Sequence, residues 1–337
     1  MHLKHPAPSP FETGVFMLSL DCEGMWGHFD YLTEREFNRS YPDAAEAPDR
    51  MLRCLGQAEI SATWAVVGGL ALARCLGPAD PWLAGLPPDW VAKIPAGVEQ
   101  ESSVWYRRSL VQRIARAHPA HDVGLHGGLT HLPWTEDCAT TEVLQNEIRS
   151  GIRALVDLGI RPVSFVYPRN QVAHLKILAE AGIRCFRGPE PDWAGRAGRG
   201  LAGAMIRVAF ELGERTPPPV APEEVLPGLW NIPASLFLYP MSQARLKLVP
   251  LKTRLRRVRL GLEAAARQRG IFHLWLHPAN VVESSPAFAV FESIIEEAAR
   301  WRNAGDITVM NMAQAASRME QLREPAAEPR YGSAVPR

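Results

Sequence analysis

Short apolar runs alternate with amphipathic helical stretches about seven times along this chain. The apolar runs fall at 14–22, 60–67, 121–126, 163–167, 183–186, 229–232, 271–276 and 307–310. Between them, 45–57, 105–117, 141–158, 171–182, 242–269, 288–303 and 312–321 carry apolar residues at helical spacing, with Thr140 or Thr141 and Glu142 suited to start the third. Such alternation predicts an α/β fold built on a parallel sheet. Closed as a barrel, the sheet would gather every polar strand end on one face. An open doubly wound sheet is the alternative, but no Gly-rich dinucleotide fingerprint follows the first strand.

The first run, Val15-Phe16-Met17-Leu18-Ser19-Leu20-Asp21-Cys22-Glu23-Gly24, ends in two carboxylates and a glycine. Its apolar part reads as a strand buried on both faces, which has no evident structural use for the acids at its C-terminal end. Successive strand side chains point to opposite faces, so Asp21 and Glu23 share one and Cys22 takes the other. Two carboxylates at a strand mouth can hold a metal or divide the roles of base and ligand. A carboxylate that merely caps the next turn is the simpler reading of this stretch alone.

With 337 residues and 47% hydrophobic side chains, the chain can bury a sizeable core. The domain organisation expected is a flexible tail over 1–12, one barrel domain over 13–322 and a disordered Pro- and Ala-rich tail over 323–337. Residues 76–103, rich in Pro and Trp, read as a loop insertion over the strand mouths. A formal net charge of +1 argues against a general nucleic-acid binder. Five widely spaced cysteines fit reduced thiols better than a disulfide framework. No signal peptide and no apolar stretch of membrane-spanning length is visible, so the expected location is cytoplasmic.

The polar strand ends supply Asp21, Glu23, Asp122, His126, His131, Arg169, Asn170 and His277. Two histidines and a carboxylate leave open positions on a divalent metal. Water bound there has its pKa lowered towards about 7 and becomes a nucleophile. A second carboxylate can take its proton, and a histidine can protonate a leaving amine.

Four segments, in order and spacing, resemble the motifs of the polysaccharide deacetylase superfamily, which includes chitooligosaccharide and peptidoglycan deacetylases. They are Ser19-Leu20-Asp21-Cys22-Glu23-Gly24, His121-Asp122-Val123-Gly124-Leu125-His126 with His131, Tyr167-Pro168-Arg169-Asn170, and Leu274-Trp275-Leu276-His277-Pro278. The similarity runs from about 14 to 318. It implies a distorted (β/α) barrel with about seven parallel strands and a divalent metal, often zinc. It implies hydrolysis of an N-acetyl, occasionally an O-acetyl, group from a sugar or glycoconjugate. Asp21 matches the general base, Glu23 the carboxylate ligand, His126 and His131 the metal histidines, and His277 the general acid. Arg169 matches the arginine that orients the base, although here it follows the proline. Trp26, His28, Tyr167, Asn170 and Trp275, in or beside the motifs, are the candidate substrate contacts.

Three departures from the family pattern matter. His126 and His131 are spaced i, i+5 rather than i, i+4, and i+5 does not share a helix face. Gly127-Gly128 could bulge the turn and return His131 to the site. No acid stands near Trp230-Asn231-Ile232-Pro233 to tune the acid histidine. Some relatives hydrolyse cyclic amides without a metal. A metal-independent amidohydrolase and a catalytically inactive carbohydrate-binding homologue therefore stand beside the deacetylase reading.

Residues 242–269 carry nine Lys or Arg against Glu263 alone, with Leu248, Leu251, Leu255, Val258 and Leu262 at helical spacing. Peripheral contact with an anionic membrane is one use of such a helix, but a barrel helix with a solvated basic face is favoured over it. Cys22, His28 and His273 read first as structural, His28 being near enough to the mouth to touch substrate.

Overall fold

The computed structural model describes residues 10–135, 139–190, 220–239, 249–281 and 285–323, with scattered positions between 205 and 219. The strands are β1 (Gly14–Cys22), β2 (Thr63–Val66), β3 (Arg74–Leu76), β4 (Ala96–Val98), β5 (Asp122–His126), β6 (Ser164–Val166), β7 (Cys185–Arg187), β8 (Glu223–Leu226), β9 (Leu229–Asn231), β10 (Leu236–Phe237), β11 (Ile271–Leu276) and β12 (Ile307–Val309). Ten of them form one curled sheet in the order β10-β11-β1-β2-β5-β6-β7-β9-β8, with β12 added to β1. All neighbours are parallel except β8 and β9. This is a distorted (β/α) barrel, with more strands than the seven expected. β8 and β10 lie outside the eight apolar runs: β10 has only two residues, and β8 opens with Glu223-Glu224. The seam meets at its base through one antiparallel bridge, Val220 with Ile271.

β1 is the hub. One edge pairs with β11 from Val15 to Leu20. The other is shared, β12 taking Gly14–Phe16 and β2 taking Ser19–Cys22. Alternation along β1 sorts its side chains by face. Phe16, Leu18, Leu20 and Cys22 join the large outer core beneath the helices. Val15 and Met17 point the other way, into a smaller core with Phe11, Ile271, Trp230 and Met312. Above this apolar plug the same inward face carries Ser19, then Asp21, with Glu23 just beyond the strand. Burial of Phe11 puts part of the expected N-terminal tail inside the fold.

The C-terminal helix Met312–Leu322 closes the base. Met312 N donates to Thr63 Oγ1 and Ala313 N to Asp122 Oδ2. This corrects the placement of Asp122 among the strand mouths. β5 begins at Asp122, so its carboxylate lies at the opposite end of the barrel and caps a helix start.

Residues 76–103 are not one loose loop. They contain the helix Pro88–Val91 and the strand β4, which pairs antiparallel with β3, a strand that ends at the segment's first residue. Trp90 donates its indole N–H to Thr130 Oγ1. The segment braces the loop after β1 from behind rather than lining the cleft. In the basic stretch, Arg245, Lys247 and Leu248 lie outside the described residues, and the helix runs Leu251–Gln268. Val258 and Leu262 are buried, and Leu255 is packed against the core, so most of the apolar stripe is already covered. Among the described residues, no helix is long and apolar enough to cross a membrane.

Candidate metal centre

The strand ends converge as the alternation requires. Glu23 leaves β1 into a 3-10 turn at Gly24–Gly27. A Cβ on Gly27 would lie 2.2 Å from the Glu23 carboxyl carbon, so only glycine lets the chain pass so close. His126, the last residue of β5, donates Nδ1–H to the Val166 carbonyl at 3.1 Å. That contact fixes the ring and turns Nε2 towards Glu23, 3.3 Å from Oε2.

His131 reaches the same point by a bulge. The residues directly after β5, 127–135, hold no helix, so helical faces do not govern the pair. Gly127 has φ 81°, Gly128 has φ 149° and His131 itself has φ 63°. Two glycines in a region that residues with a Cβ avoid fold the chain back on itself. His131 Nε2 then lies 3.2 Å from His126 Nε2 and 3.2 Å from Glu23 Oε2. One ligand atom from each of Glu23, His126 and His131 falls within 4.8 Å of the others, all three residues being buried. A carboxylate and two imidazoles suit zinc and similar divalent ions, so the donor set fits the metal that the motifs imply.

Glu147, in the helix Thr141–Val156, holds the bulge from beneath. Its Oε1 accepts from Thr130 N at 2.6 Å and Leu132 N at 3.3 Å, the amides on either side of His131. Burial pushes the Glu147 carboxyl up to about 7. Its importance was not read from the sequence, where it looks like one more charge on an amphipathic helix.

Asp21 is gripped by Arg187, whose two terminal nitrogens each donate to a separate carboxylate oxygen at 2.7 Å. Burial alone would raise the Asp21 carboxyl; Arg187 and then His126 hold it below its usual value instead. Arg187 also donates to Ser19 Oγ at 3.0 Å and to Asn170 Oδ1 at 3.1 Å, and lies 4.1 Å over the Trp275 ring. Behind it, Ser19 Oγ contacts His273 Nε2 at 2.9 Å while His273 Nδ1 meets the Pro233 carbonyl at 3.1 Å. A carbonyl only accepts, so His273 carries its proton on Nδ1 and Nε2 accepts from Ser19. The Ser19 lone pairs are thereby left for Arg187. Burial, and then the Arg187 charge, push His273 down to about 3, which keeps it neutral.

This corrects the expectation for Arg169. Its side chain is 47% exposed and pairs with Asp30 at the rim, with no contact to Asp21. The cation beside Asp21 comes from the next strand. The expected strand ended at Phe186, one residue short, and so left Arg187 out of the inventory of polar strand ends.

His277 follows β11, with Nε2 3.8 Å from Asp21 Oδ2 and 3.5 Å from Glu23 Oε1. Asn280 contacts its Nδ1 at 3.3 Å. Burial lowers the His277 pKa against the pull of Glu23 and Asp21. Of the candidate substrate contacts, His28, Tyr167, Asn170 and Trp275 line the cleft over this cluster, joined by Tyr31, Tyr41, Phe237 and Asn280. Tyr167 spends its hydroxyl on the Ala173 carbonyl, and Trp275 stacks on Phe237. Trp26 is a correction: it is fully buried, donates its indole N–H to the Trp105 carbonyl and packs edge-on to Phe29, Trp105 and Tyr106. A tryptophan beside a strand mouth looks the same in sequence whether it faces the cleft or the core.

No family model matches the chain, and neither does any curated protein. Solved structures do. A candidate polysaccharide deacetylase from Mycobacterium smegmatis superposes with a TM-score of 0.59 at 16% identity, covering 95% of this chain and 93% of that one. Puue allantoinase gives 0.60 at 12% identity over 95% and 93%. A candidate polysaccharide deacetylase from Pseudomonas aeruginosa PAO1 gives 0.59 at 10% identity over 92% and 91%. At such identities the likeness speaks to the fold alone, one shared with these deacetylase structures and with the allantoinase.

Proposed function

We propose, from a chain with the polysaccharide deacetylase fold and this cluster at its strand ends, a metal-dependent hydrolase that removes an N-acetyl group from a sugar or glycoconjugate. The observation that carries the reading is the division of the polar groups. Glu23, His126 and His131 form a compact ligand set, while Asp21 and His277 stand beside it, uncommitted to it and on different strands. A divalent ion held there, zinc being the natural choice, would lower the pKa of water and polarise an acyl carbonyl. Asp21, kept ionised by Arg187, accepts the proton of the attacking water. His277 delivers a proton from Nε2 to the departing amine. Tyr31 and Tyr41 offer faces for a sugar ring, and Asn170 and Asn280 offer polar edges.

The structures of similar fold include deacetylases and an allantoinase, and both names denote cleavage of a carbon–nitrogen bond. A hydrolase of that bond class is therefore the coarser form of the proposal, with a metal-independent amidohydrolase as its competitor. Metal analysis together with an acetate-release assay on acetylated amino sugars decides between them. We expect one divalent ion per chain, lost in His126→Ala, and activity abolished by a chelator and restored by zinc. Asp21→Asn should lower kcat by about 10²–10⁴-fold with metal content intact. Turnover that survives chelation would overturn the metal-dependent reading, and ligand binding without any acetate release would mark an inactive binder.

A further inference from the structure

The cleft over the candidate metal centre encloses about 350 Å³, at the small end of the ~300–1,000 Å³ typical of small-molecule pockets. Its walls come from separate loops: Tyr31 and Tyr41 after β1, Arg169 and Asn170 after β6, Phe237 from β10 and Asn280 after β11. Two of these walls are tied together, because Arg169 pairs with Asp30 across the rim. Arg169 and Asn170 both hold left-handed backbone, with φ 56° and 55°. Residues with a Cβ stay in that region only where their surroundings over-determine it. Here Asn170 is fixed by Arg187 and Arg169 by Asp30.

Beyond the rim lies a second hollow of about 490 Å³, lined by Phe29, Asp30, Tyr31, Lys93 and Trp105 among others. Tyr31 borders both spaces and is 62% exposed. Asp30 and Tyr31 therefore form a ridge between the hollows, braced by the Arg169 ion pair. An internal unit of a polymer enters a site with a neighbour attached on each side, and so needs a groove open at two ends. A braced ridge denies it one of them.

We propose that Tyr31 and the Asp30–Arg169 bridge make this cleft a single-unit pocket. Its substrate is then one N-acylated sugar residue, free or at the end of a larger molecule, and not an internal unit of a polysaccharide. The inference rests on the deacetylase reading above but can fail while that reading stands. The test uses the full zinc-loaded chain with N-acetylglucosamine, N-acetylgalactosamine and the β-linked pentamer of the first. Calorimetry on Asp21→Asn reads affinity, and mass spectrometry of wild-type products reads which unit has lost its acetyl group.

The expected result is that monomer and pentamer affinities agree within about threefold, since one unit makes the contacts, with acetyl loss confined to a terminal unit. Asp30→Ala, which removes the brace from outside the cleft, should raise the internal-to-terminal ratio by about tenfold or more. The inference is overturned if affinity climbs about tenfold or more from monomer to pentamer and the gain vanishes in Tyr31→Ala, for Tyr31 is then a stacking platform. Internal units losing acetyl as fast as terminal ones in the wild type overturn it as well. In both cases the deacetylase reading survives. If no sugar binds and none releases acetate, that reading fails and this one with it.

Discussion

A carboxylate buried at the mouth of a barrel is stable only with a partner, and at Asp21 the partner is Arg187. Both side chains are almost fully enclosed. Replacing the arginine with an apolar residue of similar length leaves a charge in the interior without compensation. Arg187→Met should therefore destabilise the chain by about 3–5 kcal/mol, measured by urea unfolding, besides reducing turnover. Arg187→Lys should recover little of either, because one ammonium cannot reproduce two parallel hydrogen bonds. A loss under about 1 kcal/mol would mean that water reaches Asp21 and the pair matters less than its geometry suggests. Glu147 poses the opposite problem. Its folded pKa of about 7 lies above the ordinary 4.5, so the native state holds the proton more tightly than the unfolded chain. That stabilisation is complete below about 4.5 and lost as the pH rises through about 7. Glu147→Gln keeps an acceptor for Thr130 N and Leu132 N and removes the titration. Relative to wild type it should gain about 2.5 kcal/mol between pH 5 and pH 8, and a difference that ignores pH would sink the assignment. Asp21, Glu23, His126 and His277 were legible in the sequence because each stands at or just past the end of an apolar run, as a group that a core would not choose; His131 was legible only through the motif it shares with His126. Arg187 ends such a run too, but a three-residue strand gives too little pattern to fix its last position. Glu147 carried no sign at all, since its role depends on which loop a helix lies beneath.

At the level of elements, the loop after β5 shows how a spacing can mislead. Counting i to i+5 presupposes a helix, and the chain instead turns back through Gly127 and Gly128. A Cβ on Gly128 would meet the Glu147 carbonyl oxygen at 2.8 Å and Cγ at 2.6 Å, in a backbone conformation that alanine resists. Gly128→Ala should push His131 out of reach and weaken metal binding by about tenfold or more. Competition with a fluorescent chelator would measure it; unchanged affinity would mean that the loop re-forms around the methyl group. The glycine pair was visible in the sequence as a possible bulge, while the φ values that make it one were not. The helix Leu251–Gln268 teaches a related lesson. Its apolar stripe and its charges are both plain in the sequence, but periodicity does not say whether a stripe meets a membrane or its own sheet. Gly14 shows what part of the stripe meets: a Cβ there would lie 2.4 Å from the Ala265 backbone, so the helix rests directly on the foot of β1.

Across the whole molecule, the inner face of the barrel is layered. An apolar plug of Val15, Met17 and Ile271 sits at the base, a polar tier of Ser19, His273 and Arg187 lies above it, and the ligand cluster is on top. The alternation of strands and helices was enough to expect this arrangement, because a parallel sheet closing on itself must bring its C-terminal strand ends together. Which residues face inward at β7 and β10 was beyond it, since those strands are too short to carry a period. Because Glu23 comes from the end of β1 and His126 and His131 from β5 and its loop, and they meet only in the native state, an ion bound by them would stabilise the entire domain. Zinc at a hundred times its Kd should add about 2.7 kcal/mol, seen as a Tm that rises with metal concentration in wild type and stays flat in His126→Ala. A rise that persists in the variant would place the ion elsewhere.

The shared edge of β1 has a consequence in time as well as space. The strand that carries Asp21 is made well before its partners at the foot, β11 and β12, which follow some 250 to 290 residues later. Until then its apolar inner face has no cover, and contacts so distant in sequence form slowly. His277 arrives on that same later segment, so the candidate cluster is complete only after β11 has been made. A chain made only as far as β10 would hold Glu23, His126 and His131 without His277, and its uncovered apolar face would be open to aggregation until β11 arrives.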